Sequence, residues 1–186
     1  MRMKKNKLYF ALLIFFIIPA IARAANLDSL KANFLRGNYR RVIFEAQALV
    51  NNIDISGAEE LNYILGLSYL KESKLEQAQA CFTRILGASS NKFKALANLG
   101  LADAYLMAGR FGEAQDIYAK LITDDPNSSQ KAAILYRLSQ LEFKKGNIQQ
   151  GNDYLFKLKR DFPLSPELRL AKGLSLITPP VSPLND

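Results

Sequence analysis

Residues 98–118, NLGLADAYLMAGRFGEAQDIY, decide the fold. Leu99, Leu101, Ala102 and Tyr105 recur at helical spacing and Gly109 follows; Ala114, Tyr118 and then Leu121 recur at i, i+4 and i+7, and Pro126 follows. Each run reads as an amphipathic helix of about three turns. Gly109 can take the left-handed conformation that ends the first helix. Pro126 cannot continue the second. Small Ala102 and Ala114 let the two helices approach closely, and Tyr105 and Tyr118 fill the space between one pair and the next.

The corner Gly109-Arg110-Phe111 has counterparts in Gly37-Asn38-Tyr39, Ser73-Lys74-Leu75 and Gly146-Asn147-Ile148, at intervals of 36, 36 and 37 residues. A fixed period of this size means a stacked array. The expected fold class is all-α: a right-handed superhelical solenoid of antiparallel helix pairs. It holds about three full repeats, a partial first repeat and a C-terminal capping helix. No alternating apolar run suggests a strand.

The first residues read as a separate segment. Arg2, Lys4, Lys5 and Lys7 precede an unbroken apolar run from Leu8 to Ile18, and Ala22-Arg23-Ala24 offers small residues where a signal peptidase cuts. This pattern predicts a secretory signal peptide over 1–24. The run is shorter than the roughly 20 residues a membrane span needs. No cysteine near the cut could take a lipid, so the expectation is an exported protein without stable membrane insertion, in the periplasm of a two-membrane host. Removing those four cations and Arg23 from 25 basic residues leaves 20 against 17 acidic, a net charge of +3 rather than +8. A nucleic-acid partner would want a basic stripe, and export argues against one.

The sequence has no histidine and no tryptophan, and Cys81 is its single cysteine. Without histidine the commonest general base and metal ligand is missing. No thiolate–imidazole site of catalytic or zinc type can form. No cofactor, metal or catalytic residue is therefore expected. Cys81 cannot make an internal disulfide. It can link two chains in an oxidising compartment, but it reads as a small apolar filler on a helix.

Read residue by residue, the repeat resembles the tetratricopeptide repeat. One copy has Asn98, Leu101, Ala102, Tyr105, Gly109, Ala114, Tyr118 and Pro126. The copy before it has Asn62, Leu65, Gly66, Tyr69, Ser73, Ala78 and Phe82, with Ser90 where proline is expected. The copy after it has Leu135, Leu138, Ser139, Gly146, Gly151, Leu155 and Pro163, with Glu142 in the place of the tyrosine. The usual period is about 34 residues, and the surplus falls in the loops around Gly87–Asn91 and Asn127–Lys131. Either the helix turns so that Leu141 and Phe143 pack instead of Glu142, or the carboxylate is exposed near the open end of the array. The boundaries read as a partial repeat over 25–55, repeats over 56–92, 93–128 and 129–164, a capping helix over 165–177 and a disordered tail over 178–186. Ser165-Pro166-Glu167 starts the capping helix, with a serine N-cap and proline at the first helical position. Ser56 and Glu59 form a capping box. The stretch Asp161 to Pro166 also resembles a phrase found in exported bacterial tetratricopeptide proteins of envelope-assembly systems.

The resemblance implies a concave groove lined by the first helix of each repeat. On this sequence that groove presents Tyr63, Ile64, Leu67, Leu70 and Lys71, then Leu96, Leu99, Asp103, Leu106 and Met107, then Tyr136, Arg137, Gln140, Phe143 and Lys144. The same residues also read as packing within the array. Grooves that clamp a C-terminal carboxylate use Lys and Asn at set positions. Tyr63, Leu99 and Tyr136 stand at one of these, and Leu67, Asp103 and Gln140 at another. A hydrophobic ligand segment is the better expectation. The reading is a binding scaffold for an apolar or amphipathic segment of a cell-envelope protein. The alternative is a structural, self-associating component, possible as a homo-oligomer. A remote third is a glycan hydrolase using paired carboxylates. Its candidates, Glu59-Glu60 and Asp124-Asp125, sit at helix ends, and neighbours on a helix do not face one site.

Overall fold

The computed structural model describes residues 27–49, 55–125 and 128–171, without the side chains of Ile55 and Ser56. The expectations for segment 1–24, the Ser56 cap, Pro126 and residues 172–186 fall outside these. The described residues form helices and turns, with no strand among them. In chain order the helices are α1 (Leu27–Leu35), α2 (Tyr39–Leu49), α3 (Ile55–Lys71), α4 (Leu75–Leu86), α5 (Lys94–Met107), α6 (Phe111–Asp124), α7 (Lys131–Lys144), α8 (Ile148–Asp161) and α9 (Pro166–Ala171). Helix α5 is rich in Ala and Leu and has no β-branched residue, so propensity and pattern agree.

One backbone device ends the first helix of every pair. The Gly37 N–H donates to the Phe34 carbonyl at 2.9 Å, and the Asn38 N–H to the Asn33 carbonyl at 2.9 Å. This is the Schellman closure, which satisfies two carbonyls left free by the helix end. It recurs as Ser73 to Leu70 with Lys74 to Tyr69, as Gly109 to Leu106 with Arg110 to Tyr105, and as Gly146 to Phe143 with Asn147 to Glu142. The closure needs a residue with positive φ, and Gly37, Gly109 and Gly146 supply φ of 79°, 75° and 83°. Ser73 adopts φ 56° without being glycine, at a cost of about 1 kcal/mol for its Cβ. Ser73→Gly is therefore expected to raise the melting temperature by about 2–4 °C, read by thermal circular dichroism; an unchanged or lower value counts against this strain.

The chain divides into two units, one ending at Gly100 and the other beginning at Leu101, a boundary inside α5. In the first, α1 packs on α2 and α3, and α3 on α2 and α4. Its centre is Phe82 of α4, whose side chain is wholly buried. The ring lies against Gly66 of α3 and Gly100 of α5: a Cβ on either would stand 2.7 and 2.5 Å from ring carbons. No side chain fits at these two positions unless the ring moves, so the small residues are what let Phe82 reach the core. Cys81 is buried beside it. Burial pushes the thiol up to about 11, which keeps it an unreactive thiol at neutral pH.

In the second unit α6 packs on α7, α7 on α8, and α9 on both α7 and α8. Ala102, Ala104, Ala114 and Tyr118 are wholly buried. Ala132, Leu135, Leu158 and Ala171 form a cluster, with Tyr136, Leu155, Phe162 and Leu168 packed around it. Leu158, rather than Leu155, is the fully buried leucine of α8. It lies two turns from Gly151 on the same helix face, and Gly151 is where the Phe143 ring sits: a Cβ there would meet that ring at 2.5 Å. The Ser165 hydroxyl accepts the Leu168 N–H at 3.2 Å and so caps α9.

Candidate functional site

Three of the first helices of the pairs, α3, α5 and α7, carry the residues expected to meet a partner. In the first unit Ile64 and Leu70 are buried and belong to the core. Tyr63 is half-buried, its ring 5.8 Å from that of Phe93 and 6.3 Å from that of Phe82. Leu67, Leu96 and Leu99 are half-buried and keep part of their apolar surface open. Lys71 is exposed at the end of α3. The acids of α3 face other groups: Glu60 pairs with Lys31 of α1 at 2.7 Å, and Glu59 accepts the Ser90 hydroxyl at 3.0 Å.

In the second unit Leu106 is buried, while Met107 at the end of α5 is half exposed. Asp103 and Arg137 form an ion pair, and the Tyr118 hydroxyl donates to the same Asp103 oxygen at 2.6 Å. One carboxylate thus joins α5, α6 and α7. Burial foremost, then the neighbouring Asp103 charge, push the Tyr118 hydroxyl far above its ordinary 10. Gln140 donates to the Tyr136 hydroxyl at 3.1 Å. Tyr136 packs on the C-terminal cluster, and Phe143 rests on Gly151.

Glu142 is fully buried, so the expected exposure near the open end does not hold. The Asn147 amide donates to its carboxylate at 2.6 Å, and the Lys145 ammonium lies 3.3 Å away. Glu142 and Asn147 are the two residues whose backbones make the long Schellman bond, so the pair bridges the corner twice. At the matching corner the Arg110 guanidinium covers the Tyr105 ring at 4.3 Å. The polar residue at the tyrosine position is therefore paid for by a polar residue five positions on. Asn33 stands at the same position in the first pair, and its amide donates to Glu45 at 3.1 Å.

Three left-handed glycines and one serine in register, the last three of the four closing a helix over a buried small residue, meet a sequence signal of the same kind. Residues 63–129 match the family model of the tetratricopeptide repeat. That stretch of the chain is similar to the tetratricopeptide repeat. No curated protein matches it in sequence. Among solved structures, PilF of Pseudomonas aeruginosa is 19% identical, with a TM-score of 0.57 over 81% of this chain and 68% of that one. PilW, described as a widely conserved type IV pilus biogenesis factor, is 20% identical, with a TM-score of 0.64 over 78% of this chain and 65% of that one. This chain therefore spans about two thirds of the length of each, and the likeness is one of fold.

Tetratricopeptide repeats are protein-binding modules, and the first-helix faces keep part of their apolar surface open, as Phe44, Ile148 and Phe156 do on second helices. Of the residues expected there, Leu67, Leu96, Leu99 and Met107 keep it. Asp103 and Arg137 hold each other. The role of Gly100 and the Tyr118 hydrogen bond to Asp103 escaped the sequence reading; for Gly100, a glycine two residues before the repeat's small position was the available signal. Among the described residues no group of three or more Cys, Asp or Glu could hold a metal ion. None of the described helices is long and apolar enough to cross a membrane.

Proposed function

We propose that the protein is an exported, non-enzymatic adaptor of the cell envelope. It holds an apolar or amphipathic segment of another envelope protein against the first helices of its repeats. The carrying observation is the apolar surface left open at Leu67, Leu96, Leu99 and Met107 on helices whose opposite faces are buried, since open apolar surface rimmed by polar groups marks interaction sites. The fold shared with a type IV pilus biogenesis factor supports an assembly role in the envelope. The basic, apolar and small-residue zones of segment 1–24 support export.

The test places a photo-cross-linking residue at Met107, or at the outward-facing Phe44 as control, in cells carrying the full chain. The expected result is one envelope protein captured from Met107, absent from Phe44, and lost when Leu99→Glu is added. Equal capture from both positions, or capture that survives Leu99→Glu, overturns the reading. A second reading, self-association, is favoured by the exposed Phe156, Leu164 and Leu170. Concentration-dependent sedimentation decides it: a strict monomer removes it.

A further inference from the structure

We propose that the corner between α8 and α9, within the second unit, rests on an anionic lipid surface, a contact separate from the first-helix face. Seven large apolar side chains are exposed among the described residues, and three of them, Phe156, Leu164 and Leu170, fall within residues 156–171. Phe156 is 65% exposed, Leu170 61% and Leu164, in the connection between the helices, 92%. At about 1.5 Å per helical residue, Phe156 and Leu170 each stand within about 8 Å of that connection along their own helices. Leu158 of α8 and Ala171 of α9 lie in one buried cluster. Each helix therefore has a face in the core and turns its exposed apolar side chain away from it.

The charge around these side chains is positive. Phe156 shares its helix face with Lys159 and Arg160, three and four residues on, and Arg169 precedes Leu170. The acids of the corner are engaged from within. Arg160 holds Asp161 at 2.7 Å, and the half-buried Glu167 lies close enough to Arg137 of α7 to favour its charged form. Asp153 stands about a turn farther from the corner than Phe156. Lys157, Lys159 and Arg169 are exposed and make no ion pair among the described residues; the Lys157 ammonium lies 5.4 Å from the centre of the Tyr154 ring. Three cations without a counter-charge beside three open apolar side chains suit a lipid interface. The apolar groups enter the headgroup boundary, and the cations meet lipid phosphates. Leu164 stands out from the fold and lines no hollow, so the corner fits a broad surface better than a peptide, which docks in a groove or along a strand edge. A second copy packed here about a two-fold axis would set the same cations against each other. None of the described helices is long and apolar enough to cross a membrane, so the contact lies on the bilayer.

The experiment puts an environment-sensitive fluorophore on Leu164→Cys, or on Phe44→Cys as control, in the full chain; the buried Cys81 stays unlabelled. The vesicles are phosphatidylcholine alone, or phosphatidylcholine and phosphatidylglycerol in equal parts. Blue-shifted emission is expected from position 164 with the mixed vesicles only, and none from position 44. The triple variant Lys157→Glu/Lys159→Glu/Arg169→Glu should weaken the binding read at position 164 by about tenfold or more, with circular dichroism unchanged. Phe156→Ser with Leu170→Ser should weaken it by a similar factor. Vesicle binding without a shift at position 164, as anchoring through segment 1–24 would give, overturns the proposal, and so does a shift unmoved by the charge reversal. A shift already present without vesicles gives the corner to a second copy if it grows with protein concentration, and to the chain's own remaining residues if it does not; either overturns the proposal. A shift given by soluble envelope proteins but not by vesicles gives the corner to a protein partner and overturns it as well.

Discussion

Gly100→Ala should destabilise the first unit by about 1–3 kcal/mol, the range for overfilling a packed core, although alanine is the better helix former by about 1 kcal/mol. The reason is Phe82. The added methyl would sit 2.5 Å from the ring's Cζ and 2.6 Å from its Cε1. Gly66 bounds the same ring, with a Cβ there 2.7 Å from Cε1, and the ring is wholly buried. Phe82→Ala alone should cost about 3–5 kcal/mol through lost burial and the cavity left behind. The two changes should then fail to add. With the ring gone, the methyl of Gly100→Ala enters open space, and its helix preference should make it neutral or mildly stabilising in the Phe82→Ala background. Urea unfolding of the four proteins in the cycle measures this. A Gly100→Ala effect of the same sign and size in both backgrounds would show that the glycine is not there for the ring.

This wedge also shows what the sequence made legible and what it did not. The period placed the helix corners because a left-handed residue is a backbone requirement, and glycine announces it. The serine at position 73 was caught only by its register with the glycines, and its φ of 56° bears the register out. The small residues Gly66, Ala102, Ala114 and Gly151 were visible through the spacing, whereas Gly100 was not. Its reason is an aromatic side chain eighteen residues earlier, and no local pattern encodes that contact. Glu142 announced itself as a break in the pattern. Its burial followed from Asn147, five residues on, whose amide and backbone both reach it. The candidate face was legible as a set of helix positions. Which of its members keep open surface was not, because burial depends on what the next helix brings. Tyr136 is drawn onto the cluster around Leu158 and Ala171, and Leu106 is buried while its neighbour Met107 stays half exposed. Asp103 and Arg137 lie 34 residues apart, and only the stacking of repeats makes them a pair.

That pair yields the second large effect. Asp103→Ala should cost about 2–4 kcal/mol, because it leaves the Arg137 guanidinium and the Tyr118 hydroxyl without their acceptor in a site closed to most water. The Asp103 and Arg137 side chains are only 19% and 28% exposed, so the penalty is larger than for a surface ion pair. Tyr118→Phe removes one neutral donor and should cost about 1 kcal/mol. Replacing both charges together, Asp103→Leu with Arg137→Met, should return most of the loss, since two apolar side chains of similar size need no counter-charge. Alkaline pH separates the hydroxyl's share. Because the folded protein holds the Tyr118 proton more tightly than the unfolded chain does, the unfolded chain gives it up first as pH rises above about 10. The unfolded state then binds fewer protons, so stability falls with pH on that side. Below that pH the contribution is fully present. Tyr118→Phe should therefore be less stable than the parent near neutrality and show a shallower decline above pH 10. Parallel slopes in the two proteins would mean that Tyr118 ionises as freely when folded as when unfolded, and that the Asp103 network does not hold its proton.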